Sequence, residues 1–332
     1  MKRRDFLRLS TLVSAATLLD TNVLGTLYAK DTYPSQRITW ICHTQPGSGY
    51  DIIPRVIGPY MTKYFRELSP GSKGGTFIIK NDPAAAGLKA YSSVYNAAPN
   101  GYTLGGMDMS FVTDVVLGKV EFEIDKITYL AKFNSTNKLL VANKNGFKSW
   151  KQAVEASHKA PLKISVGQFG RANHIAGILI QEAFGLNVKF IATSSTSANM
   201  NSVMRGDVHA GIAADDSINS LIESKEVRPI LAFFDTDKYP EAVTLKELGC
   251  PEVGKNSAGH RFAIAPPGLP KDIRNLIVEA LKKTMADKDL KAWASKANYE
   301  FTPIYGDDAT EMAKKYIQFY KSMEPTLKKY LV

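Results

Sequence analysis

Residues 37–57 are RITWICHTQPGSGYDIIPRVI, and the order of residue types in this stretch indicates the fold of the chain. The first six residues form an apolar run rich in β-branched and aromatic side chains, which predicts a strand. Gly47 and Gly49 can adopt positive φ in a tight turn, and Asp51 can cap the free N–H groups of a following helix. The stretch therefore predicts a strand, a glycine-rich turn and a helix, the repeating unit of α/β proteins.

The turn at 43–51 also suits an anion. A glycine-rich turn between a strand and a helix points several backbone N–H groups, together with the positive end of the helix dipole, at one small volume. Turn formation alone explains the same residues equally well, because turns of this kind favour glycine, proline and serine. The turn is therefore a candidate binding loop whose role depends on the rest of the chain.

Short apolar runs and helical patterns alternate along the remainder of the chain. Strands are predicted at 37–42, 76–80, 102–105, 138–142, 163–166, 188–191, 209–213, 229–233 and 261–265. Helices are predicted at 52–67, 88–97, 150–157, 173–184, 198–205 and 271–283. The alternation predicts an α/β protein with largely parallel sheets. Because the pattern occurs near 38–110 and again near 163–216, we expect two domains that face each other across a cleft lined by loops at strand ends.

Composition fits two globular domains and limits the partners. The chain has 332 residues, of which 44% are hydrophobic, and a formal net charge of +10. Nucleic-acid binding would require basic residues clustered on one face with interleaved aromatic residues, whereas Lys and Arg are spread along this chain. The charge therefore favours anionic ligands and surfaces and gives no support for nucleic acid as a partner.

The N-terminal segment has the layout of an export signal. Residues 1–29 start with basic residues, continue with a mildly apolar stretch and end in small or polar residues. Residues 2–8, KRRDFLR, are similar to a twin-arginine signal. The apolar stretch is short of the ~20 residues that a membrane span needs, so we expect cleavage near Ala29 and a periplasmic protein, with tethering to the membrane as the alternative.

Known catalytic and metal motifs are absent from the sequence. The chain has no Gly-x-Ser-x-Gly, His-Glu-x-x-His, Cys-x-x-Cys or Gly-x-Gly-x-x-Gly motif, and its five histidines show no ligand spacing. We therefore expect no metal and no cofactor. Residues 249–255 match most of a phosphate-binding loop, but Asn256 stands where a magnesium-binding Ser or Thr is required. Cys42 and Cys250 are the only cysteines, and both one disulfide bridge and two free thiols are compatible with the sequence.

A serine-based catalytic site is one alternative, because triads are assembled in space. Ser48, Asp51 and His174 could converge in the fold. The competing interpretation has Ser48 and Asp51 capping the helix and His174 packed in the first turn of its own helix.

Six sequence segments together resemble one family. The chain resembles the Bug family, the extracytoplasmic solute receptors of tripartite tricarboxylate transporters, over nearly all of residues 33–332. The similar segments are Tyr33-Pro34-Ser35, PGSGYD at 46–51, AAPNGYTL at 97–104, KISVG at 163–167 followed by His174, GDVHA at 206–210 and APPGLPKD at 265–272.

The resemblance implies a two-domain periplasmic binding protein clamp of the type II kind, in which each domain is a mostly parallel sheet flanked by helices. Residues 33–135 plus 235–332 would form the first domain and residues 136–234 the second, with the ligand cleft between them. The family implies a non-enzymatic receptor that captures a small carboxylate and delivers it to integral membrane transporter subunits, and we expect a monomer. If the resemblance holds, the loop 43–51 would bind a carboxylate through its backbone N–H groups and Ser48, and Asp51 would mainly orient the helix.

Three loops depart from the family pattern. Ala192-Thr193-Ser194-Ser195 stands for the usual Pro-Tyr-Lys-Gly, residues 83–87 (PAAAG) stand for a Gly-Ala-Gly-Gly-like turn, and Arg171-Ala172-Asn173 replaces serines before the family histidine. The six similar segments match the family pattern, whereas these three predicted binding loops do not. The ligand therefore need not be the citrate-like or amino-dicarboxylate ligand that is usual for the family.

The predicted ligand-binding residues lie in these loops. They are Gln45, Gly47, Ser48, Gly49, Tyr50, Asp51, Ala86, Gly87, Met109, Ser110, Gln168, Arg171, Thr193, Ser194, Ser195 and Asp215. Arg171 can grip a carboxylate in bidentate fashion, unless it is a solvated surface charge. Tyr50 either supports an aromatic ligand or packs on the helix. Asp215 and Asp216 can meet an ammonium group or a cation, although Asp216 can also cap a helix.

Two further functions remain open at this level. An exported hydrolase on a related α/β fold would use Ser48 or a threonine as its nucleophile, and turnover of a ligand would distinguish it from a receptor. An orphan sensor for a membrane signalling partner would share every sequence feature with a transport receptor.

Overall fold

The computed structural model describes residues 33–72, 74–297 and 299–331. It contains two sheets of six strands each. In chain order the strands are β1 (Ile38–Cys42), β2 (Phe77–Asn81), β3 (Thr103–Asp108), β4 (Thr128–Thr136), β5 (Lys138–Asn143), β6 (Leu162–Gly167), β7 (Val188–Ala192), β8 (Ala210–Ala214), β9 (Val227–Ala232), β10 (Val243–Thr244), β11 (Gly259–Ala265) and β12 (Ile304–Tyr305).

Helices connect the strands and cover the sheets. They are α1 (Gly49–Leu68), α2 (Leu88–Tyr95), α3 (Val112–Val116), α4 (Trp150–Ser157), α5 (Ala172–Phe184), α6 (Thr196–Arg205), α7 (Asn219–Glu223), α8 (Pro251–Ser257), α9 (Lys271–Ala286), α10 (Lys288–Lys296), α11 (Gly306–Ser322) and α12 (Glu324–Leu331). Short 3₁₀ turns at 84–87, 109–111, 124–126 and 215–217 lie in the loops.

The first sheet has the order β12-β4-β11-β3-β1-β2, and the second has the order β10-β9-β5-β8-β6-β7. In the first sheet β1 pairs in parallel with β2 and β3, whereas the pairings of β11 with β3, of β11 with β4 and of β12 with β4 are antiparallel. In the second sheet β5 runs antiparallel to both neighbours. The α/β architecture is confirmed, and the sheets are mixed rather than mostly parallel.

The reversed strands are β11 and β12 in the first sheet and β5 in the second, whereas β4, which the sequence predictions omit, runs in the same direction as β3. Strand β4 is nine residues long, and in its sequence TYLAKFNST the polar residues Lys132 and Asn134 interrupt the apolar residues, and the strand ends in two more polar residues. These polar residues conceal the strand from a search for short apolar runs. The chain leaves the first sheet after β4 and returns to it through β11, so the returning strand runs against its neighbours.

The chain passes between the two sheets at two adjacent places. It leaves the first sheet at Asn137, between β4 and β5, and returns at Ala258, between α8 and β11. The two crossings lie side by side, since Gly259 of β11 pairs with Thr136 of β4. Such a pair of neighbouring crossings is the typical hinge of a two-domain clamp.

The second sheet continues beyond the predicted boundary at 234/235. Residues 243–244 form β10, which pairs with β9, and Val253 of α8 packs on the core of the second sheet. The short strand was missed because two residues are too few to show a period. The division into 33–135 plus 235–332 and 136–234 stays a prediction for the domains as units, with residues 243–257 on the side of the second sheet.

Each sheet is covered on both faces by apolar side chains. On one face of the first sheet, α1 buries Ile53, Ile57, Met61 and Phe65 at helical spacing against Trp40. Such a stripe holds the helix, and with it the loop before the helix, in a fixed position. The second sheet has apolar clusters on both of its faces in the same way.

Two sequence predictions concern features of the chain as a whole. Within the described residues, no helix combines the length and the apolar content that crossing a membrane requires. Cys42 and Cys250 are both free thiols, and burial raises the pKa of Cys42 to about 12. The predicted export signal at 1–29 lies outside the described residues.

Candidate ligand site

The loop after β1 is held from within by Asp51. The Gly47 amide donates to Oδ2 of Asp51 at 2.8 Å, and the Asn81 amide donates to Oδ1 at 2.9 Å. Arg55 forms an ion pair with the same carboxylate at 2.8 Å. This pair is the main reason that the pKa of Asp51 is lowered to about 2. The buried carboxylate therefore ties the turn to the first sheet.

The helix α1 begins earlier than the sequence predicts. Ser48, not Asp51, occupies the N-cap position with extended φ and ψ of −77° and 163°, and its side chain makes no capping hydrogen bond. The Ser48 hydroxyl is instead hydrogen-bonded to the Thr44 hydroxyl. The expected capping by Asp51 is therefore wrong, because its carboxylate accepts from Gly47 outside the helix.

An aromatic cluster lines the space beside this loop. The ring of His43 stacks on Tyr91 at 4.8 Å and meets the edge of Tyr50 at 4.2 Å, measured between ring centroids. Its Nδ1 lies 3.1 Å from the Gly106 carbonyl oxygen and donates to it. Burial lowers the pKa of His43 to about 4, so the ring is neutral at pH 7.

Asp108 is the anionic group of this cluster. Burial by itself would raise the pKa of Asp108, but hydrogen bonds from the Ser110 amide and the Tyr50 hydroxyl outweigh it, so the pKa is lowered. The Ser110 amide lies 2.8 Å from Oδ1 of Asp108. Tyr50 is therefore held in place by a hydrogen bond to Asp108, and its role toward an aromatic ligand stays a prediction.

A row of polar side chains crosses the first sheet at the same end. In the strand register Asp108 of β3 and Asn134 of β4 both lie opposite Arg261 of β11. Arg261 shares the alternating phase of Ala263 and Ala265, which belong to the apolar core on that face of the sheet. Its side chain is only 12% exposed.

The guanidinium of Arg261 lies between the loop and the second sheet. It is 5.5 Å from the ring centroid of Tyr50, and a Cβ atom on Gly49 would lie 3.1 Å from it, so a larger residue at 49 would require the arginine side chain to shift. Nη1 donates to the Tyr299 hydroxyl at 3.1 Å and lies 3.8 Å from Oδ2 of Asp216. Nε is buried and has no hydrogen-bond partner in the described parts of the chain.

A second cation lies at the chain crossing. Lys138 is 5% exposed, and its ammonium donates to the Thr136 hydroxyl at 3.2 Å. Burial lowers the pKa of Lys138 to about 8. No salt bridge to Lys138 is found among the residues that the structure describes. The ammonium group is therefore desolvated without a close carboxylate.

Arg171 already has protein partners on the other side of the space between the sheets. Its Nη1 forms an ion pair with Asp114, and its Nη2 donates to the Ala86 carbonyl oxygen at 2.9 Å. Ala85 and Ala86 have φ of 50° and 55°, the left-handed region that glycine favours. The Arg171 bond is thus one contact that holds this strained turn. Arg171 joins α5 to the first sheet, and its predicted role toward a ligand stays a prediction.

Several other predicted residues meet in the same place. Gly87 packs against His43, because a Cβ atom on residue 87 would lie 2.9 Å from the Cβ atom of His43. Met109 and Ser110 are buried behind Asp108. Together with Gly47, Ser48, Gly49, Tyr50, Ala86 and Arg171 they form one connected set around the aromatic cluster.

The remaining predicted residues lie at the margins. Gln45, Gln168 and Ser194 are exposed. Ser195 caps α6 by accepting from the Ala198 amide at 3.1 Å, and the Thr193 hydroxyl donates to the Ser195 carbonyl oxygen at 3.5 Å. Asp215 lies at the chain crossing, where its amide donates to the Asn137 carbonyl oxygen at 3.2 Å.

The triad alternative is contradicted by the hydrogen bonds. Ser48 bonds to Thr44, and Asp51 bonds to Arg55. Nδ1 of His174 accepts from the Gly170 amide at 3.1 Å, and its ring packs between two phenylalanines. In addition, no group of three metal-binding side chains occurs within 33–72, 74–297 and 299–331.

Arg261, Lys138 and Asp108 were not among the residues predicted from the sequence, and their charge and burial make them candidates for the site. Arg261 begins the predicted strand 261–265 in phase with Ala263 and Ala265, whereas the larger apolar residues Phe262 and Ile264 lie on the other phase, so little in the sequence indicated its burial. Lys138 likewise began a predicted apolar strand. Neither residue lies in a loop, and the search for binding residues was confined to loops.

Two six-stranded α/β units, joined by paired crossings and with polar loops between them, define a binding protein of the periplasmic type. The model of the tripartite tricarboxylate transporter family receptor matches residues 68–325, so the chain belongs to this family. A UPF0065 protein in the gbd 5′ region of Cupriavidus necator is 22% identical over 325 residues, which cover 96% of this chain and 94% of that protein.

Solved structures agree with the fold. The periplasmic binding protein BugD superposes with a TM-score of 0.73 at 18% identity, covering 89% of this chain and 99% of its own. Malate-bound MatC from Rhodopseudomonas palustris gives a TM-score of 0.71 at 19% identity, covering 88% and 100%. The predicted family and fold are confirmed, and membership in a receptor family confirms a solute-binding receptor rather than a hydrolase.

Proposed function

We propose that the protein captures a small organic anion between its two sheets in the periplasm and delivers it to the membrane subunits of a tripartite tricarboxylate-type transporter. The observation that carries this proposal is the guanidinium of Arg261, which is buried against Gly49 and Tyr50 with its Nε unpartnered. A buried donor of this kind costs free energy until an acceptor reaches it. A carboxylate is the acceptor that matches a guanidinium best.

The loop supplies the second set of donors. By helix geometry the amide N–H groups of Gly49 and Tyr50, at the start of α1, have no acceptor within the helix. The positive end of the helix dipole adds to their attraction for an anion. Because the Arg261 guanidinium touches Gly49, a carboxylate at this point would receive both kinds of hydrogen bond. The malate bound to MatC supports a carboxylate ligand.

Contacts between the two sheets suggest how the clamp closes. Arg171 of α5 bonds to Asp114 and to the Ala86 carbonyl, while Asp216 approaches Arg261 from the other side. These contacts need the two sheets to be close together. A ligand that contacts loops of both units at once can bind only when the two sheets are close together. Such a ligand will therefore favour the closed clamp.

Thermal-shift measurements on the exported protein test the proposal, with mono-, di- and tricarboxylates and aromatic acids as ligands. The best hit should bind with one-to-one stoichiometry in calorimetry and form no product. Small-angle scattering should show a monomer whose radius of gyration falls when this hit is added. A protein that none of these anions stabilises would overturn the proposal, and binding without contraction would place the site within one domain.

We also propose that residues 1–29 act as a twin-arginine export signal, on the evidence of the KRRDFLR motif. Replacing Arg3 and Arg4 by Lys should leave precursor in the cytoplasm, which immunoblots of cell fractions would show. Normal periplasmic accumulation of that variant would indicate the general secretory route instead.

A further inference from the structure

The C-terminal helix α12 contacts the second unit at a place away from the chain crossings. The helix before it, α11, packs on β4 of the first sheet, and only Met323 separates α11 from α12. In the last turn of α12, Lys329 forms an ion pair of 2.9 Å with Glu182, and the Tyr330 hydroxyl donates to the same carboxylate. Glu182 lies in α5, the helix between β6 and β7 of the second sheet. The two units are therefore connected by side chains of α12 as well as by the backbone crossings.

The sequence of α5 indicates why this helix has neighbours on two sides. Residues 172–184 are ANHIAGILIQEAF, which is apolar around most of the helix. Ile180 belongs to the apolar cluster of the second sheet. Ile175 and Ile178 are buried and belong to a cluster of the first sheet, together with the buried Leu327 of α12. Moving α5 away from the first unit would therefore expose apolar side chains to water, which is unfavourable.

The helix α12 also reaches the loop that precedes α5. A Cβ atom on Gly170 would lie 3.9 Å from Cδ1 of Leu331 and 3.8 Å from Cγ2 of Thr113 in α3. The next residue in the loop, Arg171, forms its ion pair with α3. The position of the loop 168–171 therefore depends on the first unit and on α12, as well as on the second sheet.

We propose that α12 is a strap that holds α5 against the first unit and biases the unliganded clamp toward the closed arrangement, with Glu182 as a positioning residue. The inference rests on the proposed function, because closure matters to a receptor that binds its ligand between two units. The apparent dissociation constant of such a receptor equals the intrinsic constant divided by the fraction of molecules in the binding-competent arrangement. A strap that raises this fraction in the absence of ligand raises the affinity without contacting the ligand.

Charge reversal at Glu182 tests the proposal. Glu182→Lys places two ammonium groups side by side, so repulsion replaces the attraction to Lys329. Small-angle scattering without ligand should then give a larger radius of gyration than for the parent protein. In calorimetry the best carboxylate should bind about three- to tenfold more weakly, the range expected when an exposed ion pair is lost and reversed. At saturation with this carboxylate the radius of gyration should equal that of the parent, because the ligand itself favours the closed clamp.

Asp125→Lys is the matched control. Asp125 and Lys321 form an exposed ion pair of 2.7 Å, but both residues belong to the first unit. The control changes the net charge by the same amount as Glu182→Lys and should alter neither the radius of gyration nor the affinity. Adding Lys329→Glu to Glu182→Lys forms the pair again with exchanged charges and should restore both quantities to the parent values.

Two results overturn the proposal. If Glu182→Lys matches Asp125→Lys in both measurements, α12 does not bias closure. If the affinity falls and the double variant does not recover it, the charge at position 182 acts by a route other than the strap.

The same measurements separate the strap from the proposed function. A larger radius of gyration in Glu182→Lys with unchanged affinity would support the strap and place the ligand site within one unit. The scattering comparison of the unliganded variants requires no ligand. It therefore decides the role of α12 even if no carboxylate binds and the proposed function fails.

Discussion

Two arginines face the space between the sheets, and their surroundings differ. Arg171 has an ion pair with Asp114 and a hydrogen bond to a backbone carbonyl. Arg261 donates to a neutral tyrosine hydroxyl, lies 3.8 Å from its nearest carboxylate and keeps Nε unpartnered. A guanidinium whose donors are used stabilises the contact between the units, whereas one with a free buried donor retains the capacity to bind an anion. The two arginines therefore differ in whether their N–H donors already have acceptors, and a position in a loop does not predict this difference.

The strongest test of this comparison is Arg261→Ala. Removing the guanidinium would leave a bound carboxylate desolvated without its partner, a loss that typically costs about 2–5 kcal/mol. We expect the affinity for the best carboxylate to fall roughly 30-fold to several thousandfold in calorimetry. Arg261→Lys keeps the charge without the planar fork and should give an intermediate loss.

Arg205→Ala is the matched control, because Arg205 is an exposed arginine paired with Asp207. It should bind ligand like the parent protein. If Arg261→Ala also retained full affinity, the guanidinium would be part of the scaffold only, and the loop would hold the anion through its backbone alone.

Arg171→Ala should act mainly on stability. It leaves the Asp114 carboxylate, whose side chain is 6% exposed, with Lys119 at 3.6 Å as a remaining cation. Breaking a buried pair costs about 3–5 kcal/mol, and we expect about 2–3 kcal/mol here because Lys119 compensates in part. Denaturant unfolding measures this loss.

A double-mutant cycle with Asp114→Asn sharpens the test of Arg171. The cycle should give a coupling of about 1–2 kcal/mol, since the amide no longer needs a cation. Ligand titration of the double variant then isolates any direct role of Arg171. If the double variant recovers stability but binds ligand much more weakly than the parent protein, this would support the sequence prediction that Arg171 grips the ligand.

Lys138→Met should stabilise the unliganded protein, by about 1–2 kcal/mol at pH 7, because it removes a buried ammonium that lacks an anionic partner. The folded pKa of about 8 is lower than the ordinary 10.5. Between these values the unfolded chain binds more protons, so the free energy of unfolding of the parent rises with pH from about 8 to 10.5. The variant should lack this rise.

Denaturant unfolding at several pH values from 7 to 10.5 checks the prediction for Lys138. The exposed Lys163 serves as the control, and Lys163→Met should leave the pH dependence of the parent unchanged. Parallel curves for Lys138→Met and the parent would show that the ammonium is not desolvated in the folded protein.

Ser48→Ala should have the smallest effect. Its hydroxyl is already hydrogen-bonded to Thr44, and the backbone donors of the loop remain in the variant. We expect a loss in ligand affinity of about 1 kcal/mol or less, the usual contribution of one neutral hydrogen bond. A loss beyond tenfold in calorimetry would instead give Ser48 a direct role in holding the anion.

The sequence by itself determined the α/β class and the family, and it predicted where a binding loop lies. The stretch at 37–57 showed strand, glycine turn and helix through local preferences, which depend on neighbouring residues and so survive in the sequence. Ser48 and Gly49 were predicted as ligand-binding residues of this loop on this basis. The antiparallel direction of β5 and β11 was not identified, although both were predicted as strands, because pairing joins distant segments and leaves no local period.

Only the tertiary structure decided which charges have partners. Arg171 and Asp114 are 57 residues apart, and Arg261 meets Gly49 across more than 200 residues. Local sequence identifies a charged side chain, but its hydrogen bonds and desolvation depend on distant segments that the fold brings together. The sequence therefore indicated an arginine in a binding loop, and the fold revealed that another arginine, on a core-facing strand position, has the free donor.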